Sequence, residues 1–429
     1  MRRFVPAQAT LLLSALAISA AAQATGLDAR EKRIVRAIDA RQTQSLALLA
    51  ETVNIRSATE NHPGVRKVGD VLARELAALG LETRWVDLPA EVGRAGHLVA
   101  VHRGRKGKRL LLIGHLDTVL QDELYRRDEN RAYGAGTSDM KGGNLVIVEA
   151  LRALQATGAL EGRQVTVVFT GDEEDVGAPH AVSRQALFDA AAASDVALGF
   201  EGAVEGVAVI GRRGIGTWRL KVTGMQGHSS GIFNESRGYG AIFEAARILD
   251  RFRAELREPY LTYNPSVIVG GTNVTFDDAS KSGTALGKAN VIPREVQVTG
   301  DLRFLTAAQW EAASRKMTAI VAASLPGTSA SITFEREFPS MAPTDRNRDV
   351  LAVLDAVSRD LGTGLVAAQD PGSRGAGDIS FVCEDGRLAC LDGLGADGEN
   401  AHAPGEYVEV DPLFVQVRRA ALLFYRLTR

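Results

Sequence analysis

Apolar residues recur at helical spacing between Val65 and Leu79, where Val68, Leu72, Leu76 and Leu79 share one face, so a helix is expected there. Glu31 to Gln42 reads as a charged amphipathic helix. The pattern then shifts to short apolar runs bounded by turn residues, at 97–101, 109–114 and 165–170, which predict strands. Between the last two lies a helical pattern over Asn144–Leu154 that ends near Gly158. Strands alternating with helices imply an α/β unit, a mostly parallel sheet covered on both faces.

The pattern changes after Gly211-Arg212-Arg213-Gly214. Thr217–Val222 alternates like a half-buried strand, and Gly238–Glu255 reads as a helix. Ser266–Phe276, Val296–Phe304 and Ser331–Phe334 are further strand candidates, with a helix near Ala307–Ala323. Two helices on one face of a mostly antiparallel sheet is the economical arrangement for 214–335, an inserted α+β lid. The chain then returns to α/β character, with a helix at Val350–Leu361, a glycine-rich turn at Gly372–Gly377, a strand at Leu388–Leu391 and a closing helix at Pro412–Leu427. Residues 25–213 and 336–429 are therefore expected to form one unit interrupted by the other, in keeping with 429 residues being too many for a single core.

Formal net charge is -2, which gives no electrostatic reason to expect nucleic acid or an anionic membrane as partner. Met1-Arg2-Arg3, the apolar run Leu11–Ile18 and Ala22-Gln23-Ala24 read as a secretory signal peptide over residues 1–24, so a periplasmic or secreted protein is expected. The apolar run is well short of the ~20 residues that span a bilayer. Cys383 and Cys390 are the two cysteines; in an oxidising compartment they could pair across the intervening loop, and two separate buried thiols fit almost as well.

Five short segments carry the candidate chemistry. His115 and Asp117 are two apart at the end of a predicted strand and emerge on one face, a spacing that suits a metal-bound imidazole and the carboxylate that orients it. A histidine simply hydrogen-bonded to a nearby aspartate has the same spacing. Asp139 sits in flexible backbone ahead of Gly142-Gly143, where it either bridges cations or, with Ser138, caps a helix beginning around Met140. Glu173 and Glu174 lie in an acidic run from Asp172 to Asp175, which would repel itself without a cation unless it is a solvated loop. Glu201 and His402 complete a set of one imidazole plus carboxylates for each of two metals. His62, His97, His102 and His180 have no comparable neighbours and read as surface or packing residues. Imidazole and carboxylate donors without thiolate suit zinc, with cobalt or manganese as substitutes, and two such cations a few ångströms apart can polarise a carbonyl.

Taken together, Gly114–Val119, Ser138–Gly143, Thr170–Glu174, Glu201 and His402-Ala403-Pro404 resemble the di-zinc metallopeptidase family of glutamate carboxypeptidase, aminoacylase and succinyl-diaminopimelate desuccinylase. The resemblance implies that His115, Asp139 and Glu201 serve one zinc, with Asp139 bridging, and that Glu174 and His402 serve the other. Glu173 would be the general base and Asp117 would orient His115. It also implies a ferredoxin-like lid that forms a homodimer interface, with His228 polarising the substrate carbonyl from the partner subunit. A substrate carboxylate would be held by Asn290 and by an arginine, for which Arg336, Arg303 and Arg374 are rivals. Glutamate rather than aspartate at position 201 goes with carboxypeptidase, acylase and desuccinylase activities in this family. The expected activity is a carboxypeptidase acting on a peptide or N-acyl amino acid. An aminoacylase or dipeptidase is the close alternative, and a noncatalytic zinc- or peptide-binding protein is the alternative from another class.

Overall fold

A computed structural model describes residues 26–278 and 280–429, so the expected signal peptide over 1–24 lies outside the described residues. The chain opens with helices α1 (Ala29–Asp39), α2 (Gln42–Val53) and α3 (His62–Ala78). It continues through strands β1 (Glu82–Val86), β2 (His97–His102) and β3 (Lys106–His115), helix α4 (Gly142–Ala156), and strands β4 (Arg163–Thr170) and β5 (Val196–Gly199). These strands form one sheet in the order β1-β2-β4-β3-β5, with Ala389–Leu391 beside β5 at the far edge. From β4 to that far edge the pairing is parallel, while β2 and β1 add antiparallel.

The run Leu110-Leu111-Leu112-Ile113 explains why β3 is central. Leu110 and Leu112 pack into the core that holds Ile34, Leu49, Leu72 and Leu151, whereas Leu111 and Ile113 face a second cluster containing Leu187 and Ile379. A strand buried on both faces needs such an unbroken apolar run. Each of these side chains contributes roughly 1.5–3 kcal/mol by its burial.

Helix boundaries depart from the expected ones in instructive places. α1 stops at Asp39 rather than Gln42, and the unexpected α2 follows at once, burying Leu46, Leu48, Leu49 and Val53 with Ser45 and Thr52 between them. Those small buried polar residues blur the periodicity that would have announced it. α4 begins at Gly142 rather than near Met140, and neither Ser138 nor Asp139 caps it. A Cβ at Gly143 would lie 2.1 Å from the carbonyl oxygen of Phe200, so this start of the helix requires glycine.

The lid is an antiparallel sheet of β6 (Gly214–Gly224), β7 (Thr262–Gly271), β8 (Glu295–Phe304) and β9 (Thr328–Phe338), ordered β7-β8-β6-β9. Its helices α5 (Gly240–Glu255) and α6 (Ala307–Ala322) share with Trp218, Leu220, Val222, Val296 and Val298 a hydrophobic cluster separate from those of the parallel sheet. β9 runs on to Phe338, beyond the expected limit at 335. The stretch expected as one strand over Ser266–Phe276 is broken after Gly271, and Asn273–Asp277 pairs instead with Ser282–Leu286. A Cβ at Gly271 would sit 2.6 Å from the Leu286 carbonyl oxygen, which marks the crossing of the two backbones.

The chain returns through α7 (Asp345–Asp360) and ends in α8 (Val410–Thr428). Cys383 and Cys390 are disulfide-bonded, tying the short helix Asp378–Cys383 to the edge strand. Behind the sheet edge, the fully buried Arg184 pairs with Asp172 at 2.5 Å and Asp378 at 2.7 Å, and Asp378 also accepts from Thr170 Oγ1. The acidic run at 172–175 is thus partly neutralised by the protein itself, since Asp175 meets Arg94. Only Glu173 and Glu174 of that run are left without an arginine, a correction to the expected crowding of the whole segment.

Removing Arg184 would leave two buried carboxylates uncompensated, so Arg184→Met should lose about 3–5 kcal/mol of stability. Urea unfolding followed by circular dichroism measures the loss, and a change under 1 kcal/mol would contradict the pairing.

Candidate metal centre

The parallel strands deliver their chemistry at their carboxyl ends, as open α/β sheets do. His115 is the last residue of β3, Glu173 and Glu174 follow β4, and Glu201 follows β5. Asp139 lies in the tight turn Thr137–Lys141 ahead of α4, and His402 in the turn between short strands Gly398–Glu399 and Tyr407–Glu409. His402 holds a left-handed backbone at φ 62°, which a residue with a Cβ adopts only where its surroundings impose it.

The donors converge. His115 Nε2 lies 3.1 Å from Asp139 Oδ1 and 3.8 Å from Glu201 Oε1. His402 Nε2 lies 3.0 Å from Asp139 Oδ2 and 3.1 Å from Glu174 Oε2. The Asp139 carboxylate therefore stands between the two imidazoles. Donor atoms of His115, Asp139 and Glu174 lie within 4.8 Å of one another, as do those of His115, Glu173 and Glu201. His115 is 1% exposed and His402 52%, so one end of the cluster is sealed and the other opens to solvent.

Asp117 acts differently from the simple expectation. Its backbone oxygen accepts from His115 Nδ1 at 3.0 Å, while its carboxylate stands 3.5 Å from that nitrogen. The carboxylate oxygens instead accept the backbone N–H groups of Glu173 and Glu174, both at 3.1 Å, and the Thr59 hydroxyl at 2.8 Å. One residue thus fixes the imidazole and both glutamates. With Nδ1–H committed to a carbonyl, Nε2 is the ring atom left to ligate.

The electrostatics show what the cluster lacks. Burial pushes Glu174 up to about 7 and Glu201 up to about 8, and Asp139 beside each adds to the shift. Burial, with Glu201 next to it, drives Glu173 well above the carboxylate range. His115 is opposed by its own burial, yet Asp117 and Asp139 carry it well above its ordinary value. The hydrogen bond to Asp139 lifts His402 to about 9. Each shift reflects buried negative charge without enough positive charge beside it, a deficit that a divalent cation would fill. Glu174 Oε1 is buried with no hydrogen-bond partner, an open donor facing that demand. The residues present fit a pair of divalent cations.

His228 and Asn290 are brought together in the lid, where Ser229 N donates to Asn290 O at 2.9 Å and His228 bridges to Val291. Both are exposed, and His228 Nδ1 pairs with the Ser230 hydroxyl rather than with the cluster. Arg303 pairs with Asp301, and Arg336 with Glu384. Arg374 donates from Nη2 to Gly202 O at 2.6 Å, one residue from Glu201, and from Nε to Gln369 Oε1. Sequence reasoning missed the groups that hold these residues. Arg212 pairs with Asp392 at 2.6 Å and donates to the carbonyls of Gly375 and Ala376, shaping the glycine-rich turn. Asn144 Nδ2 donates to His115 O, and Glu406 receives the Asp139 loop. Of these only Glu406 had a sequence signal, an acid in the same turn as His402.

Imidazoles and carboxylates gathered at the carboxyl edge of a mostly parallel sheet, beside an antiparallel lid, define a metal-dependent hydrolase. Residues 111–426 match Peptidase family M20/M25/M40, and the chain belongs to that family. It is 26% identical over 425 residues to carboxypeptidase G2 of Pseudomonas sp. (strain RS-16), covering 96% of each chain. It is 27% identical over 298 residues to succinyl-diaminopimelate desuccinylase of Cupriavidus necator, covering 65% of this chain and 74% of that protein. The fold is shared with aminopeptidase PepT of Bacillus cereus, at TM-score 0.72 and 19% identity over 90% of this chain and 99% of that one. It is shared too with a dinuclear metal-binding M20 peptidase of Bacillus subtilis, at TM-score 0.63 and 16% identity over 91% and 99%.

Stripping the protein with a chelator should lower its Tm, and two equivalents of Zn2+ per chain should restore it. At free metal 100-fold above Kd the gain is about 2.7 kcal/mol. Asp139→Ala, which removes the carboxylate between both imidazoles, should abolish the response; calorimetry with elemental analysis reads both.

Proposed function

We propose that this chain is a zinc-dependent carboxypeptidase that releases a C-terminal amino acid from peptides or N-acyl conjugates. The observation that carries the reading is the Asp139 carboxylate between His115 and His402, flanked by Glu174 and Glu201. His115, Asp139 and Glu201 would hold one zinc and Asp139, Glu174 and His402 the other, with cobalt or manganese as substitutes. When bound, the pair supplies Lewis-acid polarisation of the scissile carbonyl and acidifies the attacking water.

The protein's own groups do the rest. Glu173 takes the proton from water as its oxygen adds to the carbonyl carbon, then delivers it to the amine nitrogen as the C–N bond breaks. Asp117 keeps Glu173 in place through the backbone N–H it accepts. His228, presented by the partner subunit of a homodimer, donates to the carbonyl oxygen, and Asn290 and an arginine hold the substrate carboxylate. Arg374 is the arginine the contacts favour. Arg336 and Arg303 are committed to Glu384 and Asp301, whereas the hydrogen bonds of Arg374 go to neutral acceptors near Glu201. Loss of an N-terminal leader would place the enzyme in the periplasm or outside the cell. An amidohydrolase acting on N-acyl amino acids is the second reading, favoured by the desuccinylase relative.

Mass-spectrometric product analysis on dipeptides, longer peptides and N-acyl amino acids tests both. Zinc-dependent release should fall by about 10²–10⁴ in Glu173→Gln, and the cleaved members separate carboxypeptidase from acylase. No product from any class in the zinc-loaded protein would overturn the proposal.

Arg374→Gln should raise KM for a substrate with a free carboxylate by about tenfold to a hundredfold, the cost of a charge-assisted hydrogen bond, and leave the amidated counterpart unaffected. A larger effect from Arg336→Gln would reverse the assignment.

A further inference from the structure

Glu406 lies four residues beyond His402, is 5% exposed, and sends its carboxylate back into the Asp139 loop. Oε1 accepts from Ser138 N at 2.8 Å, Ser138 Oγ at 2.8 Å and Asp139 N at 2.9 Å, and Oε2 accepts from Gly136 N at 2.7 Å. Successive backbone N–H groups converging on one anion form a nest, here filled by a side chain of the protein. Other bonds fasten the same two segments. Gly134 N donates to Glu406 O at 3.0 Å, and Tyr407–Glu409 pairs antiparallel with Arg131–Tyr133. Gly405 N donates to the carboxylate of Glu123. The His402 turn and the Asp139 turn are distant in sequence, and besides the contact of His402 with Asp139 itself, Glu406 joins them through four hydrogen bonds.

We infer that Glu406 is a positioning residue that sets Asp139 and His402 at the spacing a second divalent cation needs. The inference rests on the metal-centre reading and deepens it. A general scaffold contact would cost stability alone. A contact that registers two ligand loops costs affinity most at the position that takes His402, because the other keeps His115 and Glu201 on the β3 and β5 ends beside the shared Asp139.

The test titrates metal-free protein with Co2+, reading the visible absorption bands of the bound ion and its affinity against a competing chelator. Urea unfolding of the same samples is followed in parallel. Wild type should take up two equivalents. Glu406→Ala should bind the equivalent held by His402 about tenfold to a hundredfold more weakly, weaken the one held by His115 and Glu201 less, and show an altered band pattern. Glu406→Gln should fall between, because its carbonyl still accepts from Ser138 and Asp139 while its amide confronts the Gly136 N–H. It decides the matter if the alanine variant does not fold. Leu220→Ala, in the separate lid core, should lose stability yet keep both equivalents. Two equivalents at wild-type affinity with unchanged bands in Glu406→Ala would overturn the inference alone. So would an equal loss of metal in Leu220→Ala, which would make stability the cause. Failure of wild type to bind Co2+ would overturn the metal reading and the inference with it.

Discussion

Crowded negative charge at the carboxyl ends of β3, β4 and β5 is the constraint from which the rest of this architecture follows. Besides Asp117 and Glu406, which accept backbone N–H groups, the acids near these strand ends are of two kinds. Asp172, Asp378 and Asp392 are each matched with a buried arginine and become structural. Asp139, Glu174 and Glu201 have no such partner and share two imidazoles instead, with Glu173 within 4.8 Å of His115. The first kind holds the strand ends and the glycine-rich turn in place, and the second is left in want of positive charge. Arginine pairing of one set is what makes the deficit of the other specific.

What could be read from the chain follows from where the determinants lie. β3 was legible because Leu110–Ile113 is an apolar run of strand length ending at a histidine, and Glu173 and Glu174 because they follow another such run. The lid announced itself by a change of period, from continuous apolar strands to the alternation that buries Trp218, Leu220 and Val222. α2 escaped because buried Ser45 and Thr52 interrupt its apolar face. The supports of the centre escaped for a different reason. Arg184 and Asp378, or Arg212 and Asp392, are far apart in sequence, and no local pattern says which distant acid an arginine will meet. The same holds for the rival arginines, whose partners Asp301 and Glu384 only the folded chain reveals. The paired state of Cys383 and Cys390, which composition left open, is likewise a property of the fold.

The catalytic and lid portions also differ in how they are made. The first is built by crossovers between distant strands and buried on both faces, and the second is a continuous antiparallel insertion with its own cluster. That division sets the centre on strand ends buried on both faces, while the side chains the lid presents, His228 and Asn290, remain exposed.

The insertion enters through β6 and leaves through β9, which are neighbours paired side by side. At their base Arg212 and Met341 exchange backbone hydrogen bonds at 2.9 and 3.0 Å, so both crossings are clasped at one point. The side chain of that same Arg212 grips Asp392 and the carbonyls of Gly375 and Ala376. One residue thus ties the base of the lid to the turn carrying Arg374. Beside it, Arg213 N donates to Arg374 O and Arg336 of β9 pairs with Glu384, so the insertion and that turn are joined at several points around one residue.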